Sequence, residues 1–334
     1  MKALITGGAG YVGSTVASAL LDAGDEPVIV DNLTKGDAAF LHDRIGYVGD
    51  VGDRRLLARI FAEHPDIDVA IHCAARTIVS ESLVDPLGYY RENVAKSVEL
   101  VDGLLAHGCT RLVFTSSAAV YGAIGTRVAT EQSPLLPETP YATSKVMVEQ
   151  LLSDSCRATG LRATSLRCFN PIGADPARRT GPYDSAAGSV FGSLLAARER
   201  GEPFRIHGRD WDTCDGTPLR DFVHVWDVAC AHVAAAHALM RPAAPAGHAV
   251  LNIGSGHGTT VRELADTFNR HLDRPVPISY GERRPGDTVG CYTSTTMAEQ
   301  LLGWRPTRSV SDAIVDELGW AQVRAAGRPE SACR

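Results

Sequence analysis

The chain contains no CxxC pair: its eight cysteines, Cys73, Cys109, Cys156, Cys168, Cys214, Cys230, Cys291 and Cys333, stand singly. That spacing signals neither a zinc site nor a disulfide framework, and no metal is expected. Scattered thiols suit a reducing compartment, so a cytoplasmic location is expected. Also missing is a block of basic residues. With 33 Lys and Arg against 39 Asp and Glu, the net charge is −6, and nothing tracks a phosphate backbone, which argues against nucleic acid as a partner. No apolar run approaches ~20 residues, so no membrane span is expected. Met1 leads directly into a strand-like run, Lys2-Ala-Leu-Ile-Thr6, where a signal peptide would need a cleavable apolar region. Internal repeats are absent as well. What is present is ordinary for a globular protein: 334 residues, 44% apolar and 22% charged, enough for one large core or two unequal ones.

The first half alternates strand-like runs with helix-like stretches. The runs cover 3–6, 28–31, 46–49, 69–74 and 112–116, with a sixth at 163–167. The amphipathic stretches cover 13–23, 54–64, 89–107 and 141–157. Alternating βα units of this size predict an α/β fold built on a parallel, doubly wound sheet. After Asn170-Pro171 the pattern changes to short elements rich in Gly, Pro and Arg. We read 1–170 as a dinucleotide-binding domain to which the Ala-rich helical segment in 221–245 returns. Residues 171–220 and 246–330 read as a smaller mixed α/β C-terminal substrate domain, with a frayed tail at 325–334.

Thr6-Gly7-Gly8-Ala9-Gly10-Tyr11-Val12-Gly13 joins the first strand to the first helix. In that context turn glycines let the backbone approach a pyrophosphate, whose charge then sits at the helix N-terminus. The spacing is GxxGxxG, and alone it is a common turn. Asp31 closes the second strand, where a carboxylate can accept both hydroxyls of an adenosine ribose and repel a 2′-phosphate, favouring NAD over NADP. An Asp that merely caps a turn is equally compatible. Asp50, ending the third strand, gives a weaker signal for contact with the adenine.

The second informative motif is Tyr141-Ala-Thr-Ser-Lys145, preceded by Thr115-Ser116-Ser117. Thr139-Pro140 reads as a helix start, which sets Tyr141 and Lys145 one turn apart on one face. A tyrosine titrates near ~10, so service as a base near neutrality requires a drop of roughly 3 units, or about 4 kcal/mol. A cation about 4 Å away supplies about that at an effective dielectric of ~20. Lys145 and a nicotinamide ring are two such cations. Ser117 ends the fifth strand, at the edge where ligands of such sheets collect. An ordinary helix with an exposed Tyr and Lys is the alternative for this motif taken alone. His72 and His224 lie in apolar strand-like runs and read as hydrogen-bonded core residues.

In order and spacing these motifs resemble the extended short-chain dehydrogenases/reductases, and within them the UDP-sugar 4-epimerases. The similarity spans nearly the whole chain. Further matching segments are AspAsnLeu from Asp31, GluAsnVal from Glu92, SerSerAlaAlaValTyrGly from Ser116 and ArgCysPheAsnProIleGly from Arg167. AspGlyThrProLeuArgAspPheValHisVal from Asp215 and ArgArgProGlyAsp from Arg283 complete the series. The resemblance implies a Rossmann-type fold, NAD as cofactor and a UDP-sugar as substrate. It also implies a homodimer packed through the helices in 89–107 and 141–157.

Carried over by position, it makes Tyr141 the base at the C4 hydroxyl, with Lys145 on the nicotinamide ribose and Ser117 assisting proton transfer. Around NAD it places Gly7, Gly10, Tyr11, Val12, Gly13, Asp31, Asn32, Asp50, Val51, Ala74, Ala75, Asn93, Ser116 and Phe169. Around the UDP-sugar it places Thr77, Asn170, Arg220, Arg284 and Asp287. The implied chemistry is removal of hydride from C4, turnover of the 4-keto sugar and return of the hydride to its other face. Related dehydratases place Asp-Glu, and related decarboxylases a Glu, just after the strand-five Ser/Thr. Here Ala118 and Ala119 stand there, and elimination lacks its extra acid and base.

Two departures bear on the sugar. Arg178-Arg179 occupies the loop after Asn170, where UDP-galactose epimerases carry small and acidic residues. A substrate-facing Arg179 predicts a C6 carboxylate, that is, UDP-glucuronate converted to UDP-galacturonate. A solvated charge pair, or extra diphosphate contacts, is the other reading of the same residues, with UDP-glucose and UDP-galactose then the substrates. Cys291 stands where a bulky Tyr narrows the pocket in some epimerases, which admits UDP-N-acetylhexosamines. A function of another class, an NAD-sensing regulator without turnover, is opposed by the retention of Tyr141, Lys145 and Ser117.

Overall fold

Leu4, Ile5, Val28, Ile29, Ala70, Ile71, Val113 and Phe114 are all buried. Continuous rather than alternating burial is what a sheet covered on both faces requires. The computed structural model, which describes residues 1–183, 189–241, 246–284 and 288–326, assembles these runs into a seven-stranded sheet. Its order is Gly247–Ile253, Arg162–Cys168, Arg111–Ser117, Val69–His72, Lys2–Thr6, Glu26–Asp31, Ile45–Val48, and every adjacent pair is parallel. Winding reverses direction between Lys2–Thr6 and Val69–His72. At such a switch point the loops leaving two neighbouring strands part and open a crevice.

Side chains alternate across the sheet, so Ile5 and Leu4 enter different cores. On one face Tyr11–Asp22 and Val225–Met240 pack together through small residues, among them Ala17, Ala229, Ala231 and Ala235. On the other lie Arg54–Glu63, Lys96–Ala106 and Pro140–Thr159, contributing Leu57, Leu100, Val148 and Leu152. A third core joins Phe191 and Leu194 of Val190–Arg200 to Phe204 and Ile206 of Phe204–His207. It continues through Leu264 and Phe268 of Val261–Arg270 to Ile314 of Val310–Ala325. Among the described residues no helix is long and apolar enough to cross a membrane.

Two features differ from the sequence reading. Gly247–Ile253 belongs to the main sheet, paired with Arg162–Cys168, although 246–330 was assigned to the smaller domain. It is an edge strand whose first four residues are only partly buried, so its apolar pattern is short. The stretch 89–107 is not one helix: a π-helical turn, Tyr90–Ala95, separates Pro86–Tyr89 from Lys96–Ala106. Such turns insert a residue and re-aim a side chain, here Asn93, which is buried.

Candidate functional site

The glycine loop crosses the crevice. Gly7 has φ +69°, and a Cβ there would lie 2.6 Å from the Ala74 backbone nitrogen. One on Gly13 would lie 2.2 Å from the Gly7 carbonyl oxygen. Only glycine permits this closeness. Gly10 caps Tyr11–Asp22 without a side-chain bond, so the first-turn N–H groups, from Tyr11, Val12 and Gly13, carry the dipole's positive end toward the crevice. Asp31 is fixed by two N–H donors, Ala9 at 3.0 Å and Leu33 at 2.8 Å. Burial nevertheless raises its carboxyl above the ordinary value. Ala74 and Ala75, half-buried, leave the next strand, and Thr77 beyond them is exposed.

A side-chain-free cradle, an uncapped helix end and a held carboxylate beyond the second strand fit NAD. Asn32 accepts from Thr34, and Val51 is buried in the core beside the third strand. The Asp50 carboxylate accepts from Lys96 at 2.5 Å and from the Gly52 N–H at 2.9 Å.

Thr139 caps Pro140–Thr159 by accepting from the Ala142 N–H, and the helix so fixed presents Tyr141 and Lys145 to the end of Arg111–Ser117. Both are buried. The Lys145 ammonium donates to the Thr115 carbonyl at 2.8 Å and lies 5.9 Å from the Tyr141 ring centroid. Burial pushes the phenol up to about 12, while a hydrogen bond with Ser117 draws it back. Burial also lowers Lys145 to about 8. The Lys145 charge is desolvated and turned to a carbonyl, so without a further positive charge the phenol stands above its ordinary value.

Asn93 completes this region. Its side chain accepts from the Arg76 N–H at 2.8 Å and donates to the Arg76 carbonyl and the Ser144 hydroxyl, both at 3.0 Å. Phe169 is buried against Tyr121, centroids 6.4 Å apart. Ser116 points the other way from Ser117, donating its hydroxyl to Glu149 at 2.6 Å; strand alternation sends it away from the crevice. His72 is bonded to Thr6 at 2.6 Å and Ser97 at 2.9 Å, and burial lowers it to about 3. His224 pairs with Asp316 and accepts from the Trp226 N–H. Both are satisfied structural histidines.

A cavity of about 450 Å³ opens beside the smaller core, lined by Val190, Phe204, Ile206, Pro218, Arg220 and Arg284. Arg220 donates to the Leu219 carbonyl at 2.7 Å, and Arg284 is exposed. Two arginines beside a cavity of mixed polar and apolar lining suit a nucleoside diphosphate, with the phosphates gripped. Phe204 and Ile206 were not anticipated. The alternation of buried Phe204 and Ile206 with exposed Arg205 was legible as a strand, but nothing in it named a ligand. Asn170 donates to the Asp221 carbonyl at 3.1 Å. Asp287 lies outside the described residues.

A family model described as "NAD dependent epimerase/dehydratase family" matches residues 3–254. The chain belongs to the NAD dependent epimerase/dehydratase family. Among its relatives, "UDP-glucose 4-epimerase" of Azospirillum brasilense is 41% identical over 96% of this chain and 91% of its own length. That of Yersinia pestis is 37% identical over 99% and 100%. The solved UDP-glucose-4-epimerase of Stenotrophomonas maltophila, with bound NAD and formylated UDP-arabinopyranose, superimposes with a TM-score of 0.92 at 33% identity, covering 98% of this chain and 99% of that one. The Bifidobacterium longum enzyme in complex with NAD+ and UDP gives 0.89 at 32%, covering 98% and 100%.

Within this epimerase/dehydratase framework Arg179 is not placed to meet a sugar. Its guanidinium donates to Asp175 at 2.5 Å and to both carboxylate oxygens of Asp22 at 2.6 and 2.9 Å, and it stacks over Trp226 at 5.5 Å. Asp22 is the last residue of Tyr11–Asp22, roughly 18 Å along the helix from the glycine loop. The arginine therefore ties two structural segments together, and the UDP-glucuronate expectation loses its only support. Arg178 packs against Gly319 on the same outer side. Cys291 is partly buried beside Tyr121 and Phe169.

Proposed function

We propose that this protein interconverts UDP-glucose and UDP-galactose by NAD-dependent inversion at C4. The observation that carries the reading is the joining of Tyr141, Lys145 and Ser117 at the carboxyl edge of a sheet whose switch point holds a cradle fitted to NAD. Homology over the full length to proteins named UDP-glucose 4-epimerase supports the choice of sugar. In this reading Gly7, Gly10, Gly13 and Asp31 hold NAD, Arg220 and Arg284 grip the diphosphate, and the cavity of Phe204 and Ile206 takes the uracil. The main sheet carries the cofactor and the third core carries the nucleotide.

NAD, when bound, supplies reversible two-electron oxidation of a carbinol. The chain supplies proton transfer and exclusion of water. The Tyr141 hydroxyl, in contact with Ser117, receives the C4 hydroxyl proton and gives it back after inversion. Lowering the phenol from about 12 to near neutrality takes roughly 7 kcal/mol. A unit positive charge at 4 Å is worth about 4 kcal/mol at an effective dielectric of ~20. Lys145 and a second positive charge are therefore both required, so the phenol becomes a base only in the loaded site. Ala118 and Ala119, following Ser117 in a short 3-10 turn, offer no acid or base for elimination, which leaves epimerisation.

Cys291 beside Phe169 favours a second reading, in which the same site also accepts UDP-N-acetylhexosamines. Incubating purified protein with UDP-glucose, UDP-N-acetylglucosamine and UDP-glucuronate, and resolving the C4 epimers by chromatography, tests both. UDP-glucose is expected to convert with the highest kcat/KM; conversion of UDP-glucuronate alone would overturn the proposal. We also infer a homodimer: Val98 and Met147 are exposed on Lys96–Ala106 and Pro140–Thr159, and Leu83, Val84 and Leu87 are exposed on neighbouring turns, a concentration of apolar surface that suits an interface.

A further inference from the structure

Two consecutive residues of Arg111–Ser117 are bonded to two residues spaced four apart on Pro140–Thr159. The Thr115 carbonyl accepts from Lys145 at 2.8 Å, and the Ser116 hydroxyl donates to Glu149 at 2.6 Å. Spacing of four keeps Tyr141, Lys145 and Glu149 in one row down the helix. Nothing in the proposed reaction uses Glu149, yet it is the most heavily bonded of the three. Beyond Ser116, it receives Arg167 through Nε at 3.0 and 3.2 Å and through Nη2 at 2.6 Å. Arg167 in turn donates to the Tyr121 hydroxyl at 2.9 Å, which donates to Asn252 at 2.6 Å. Glu149 is 5% exposed and Arg167 4%.

We propose that Glu149, clamped by Arg167 and Ser116, is a positioning residue: it locks the rotation of the catalytic helix against the strand and so fixes where the Lys145 ammonium and the Tyr141 hydroxyl stand. The inference rests on the assignment of Tyr141 and Lys145 as the reacting pair. A buried ion pair replaced by apolar residues is often neutral for stability, so the retention of two charges two turns below the phenol calls for a role other than cohesion. The groups facing Lys145 are few. Tyr141 and Glu149 share its helix, Cys73 and His72 belong to the neighbouring strand end, and Cys168 and Arg167 to the strand beyond. Arg111–Ser117 itself presents the Phe114 ring and the Thr115 carbonyl. Burial lowers Lys145, and Cys73, Cys168 and Glu149, in that order, oppose it.

The chain has only four lysines, Lys2, Lys35, Lys96 and Lys145, so ¹³C-lysine NMR resolves each titration. In Glu149→Gln, Lys145 is expected to titrate about one pH unit or more below its wild-type value. The kcat for UDP-glucose is expected to fall roughly 10- to 100-fold with KM little changed, and the alkaline limb of the pH profile should move to lower pH. Glu149→Asp should restore the Lys145 titration in part. Because Glu149→Gln leaves Arg167 buried without its partner, the Glu149→Met/Arg167→Met double variant is measured beside it. That pair is expected to fold and bind UDP while kcat stays at least about tenfold low.

Wild-type Lys145 titration in Glu149→Gln, or wild-type kcat in the folded double variant, would overturn the proposal. The NMR arm needs no turnover, so a wild-type protein inactive on UDP-sugars sinks the functional reading while leaving the effect of Glu149 on Lys145 readable.

Discussion

Replacing Arg179 by Leu separates a structural role from a substrate contact. Asp175 is fully buried. After the substitution it keeps the Ala177 N–H at 2.9 Å but loses both guanidinium bonds. Breaking a buried pair by deleting one partner costs about 3–5 kcal/mol. Arg179 is 34% exposed and Asp22 49%, so solvent screens the outer half, and about 2–3 kcal/mol is expected. At ~2.1 cal/mol/K per residue, a chain of 334 residues unfolds with an entropy of roughly 0.7 kcal/mol/K, which converts that loss to a Tm lower by about 3–4 °C. Leu keeps an apolar cover over Trp226. Scanning calorimetry, paired with kcat/KM for UDP-glucose, should show the lower Tm and a rate within about twofold of wild type. An unchanged Tm together with selective loss of UDP-glucuronate conversion would show that Arg179 meets the sugar after all.

Three further outcomes are expected. Gly13→Ala forces a Cβ to within 2.2 Å of the Gly7 carbonyl, so the purified protein should carry much less NAD and melt several degrees lower; full NAD content would contradict the close-packed loop. Glu317, buried and bonded to the Gly173 N–H at 2.8 Å, is raised from 4.5 to about 8 by burial. Its native form is therefore the protonated one, and its stabilising contribution is complete below about pH 4.5. That contribution falls by up to about 1.4 kcal/mol per pH unit as pH rises toward 8. Urea midpoints across this window should decline less steeply in Glu317→Gln, and parallel slopes would refute the shift. Val98→Glu with Met147→Glu should convert a dimer to a monomer by light scattering; a wild-type mass already monomeric would remove the interface.

What was legible in the chain was what neighbours in sequence determine. Six strands and the first helix followed from apolar runs and the glycine turn, and the start of the catalytic helix from Thr139-Pro140. Gly247–Ile253 escaped because an edge strand with a half-exposed beginning has little pattern to show. The environment of the reacting pair was not legible because burial, not spacing, sets it: Lys145 and Tyr141 are both buried, and desolvation works against each charge. Arg179 read as substrate-facing because only the fold brings Asp22, 157 positions away, onto the guanidinium that Asp175 already holds from within the loop. The cavity beside Arg220 was missed for a related reason, since Phe204 and Ile206 acquire meaning only when Val190–Arg200 and Arg220 close over them.

The measurement that bears most directly on the proposed chemistry is the rate of UDP-glucose conversion by Tyr141→Phe, with bound NAD quantified in the same sample. The ring stays and only the hydroxyl in contact with Ser117 is lost, so NAD content should match wild type while kcat falls by about 10²–10⁴-fold. Conversion at the wild-type rate would mean that another group moves the proton.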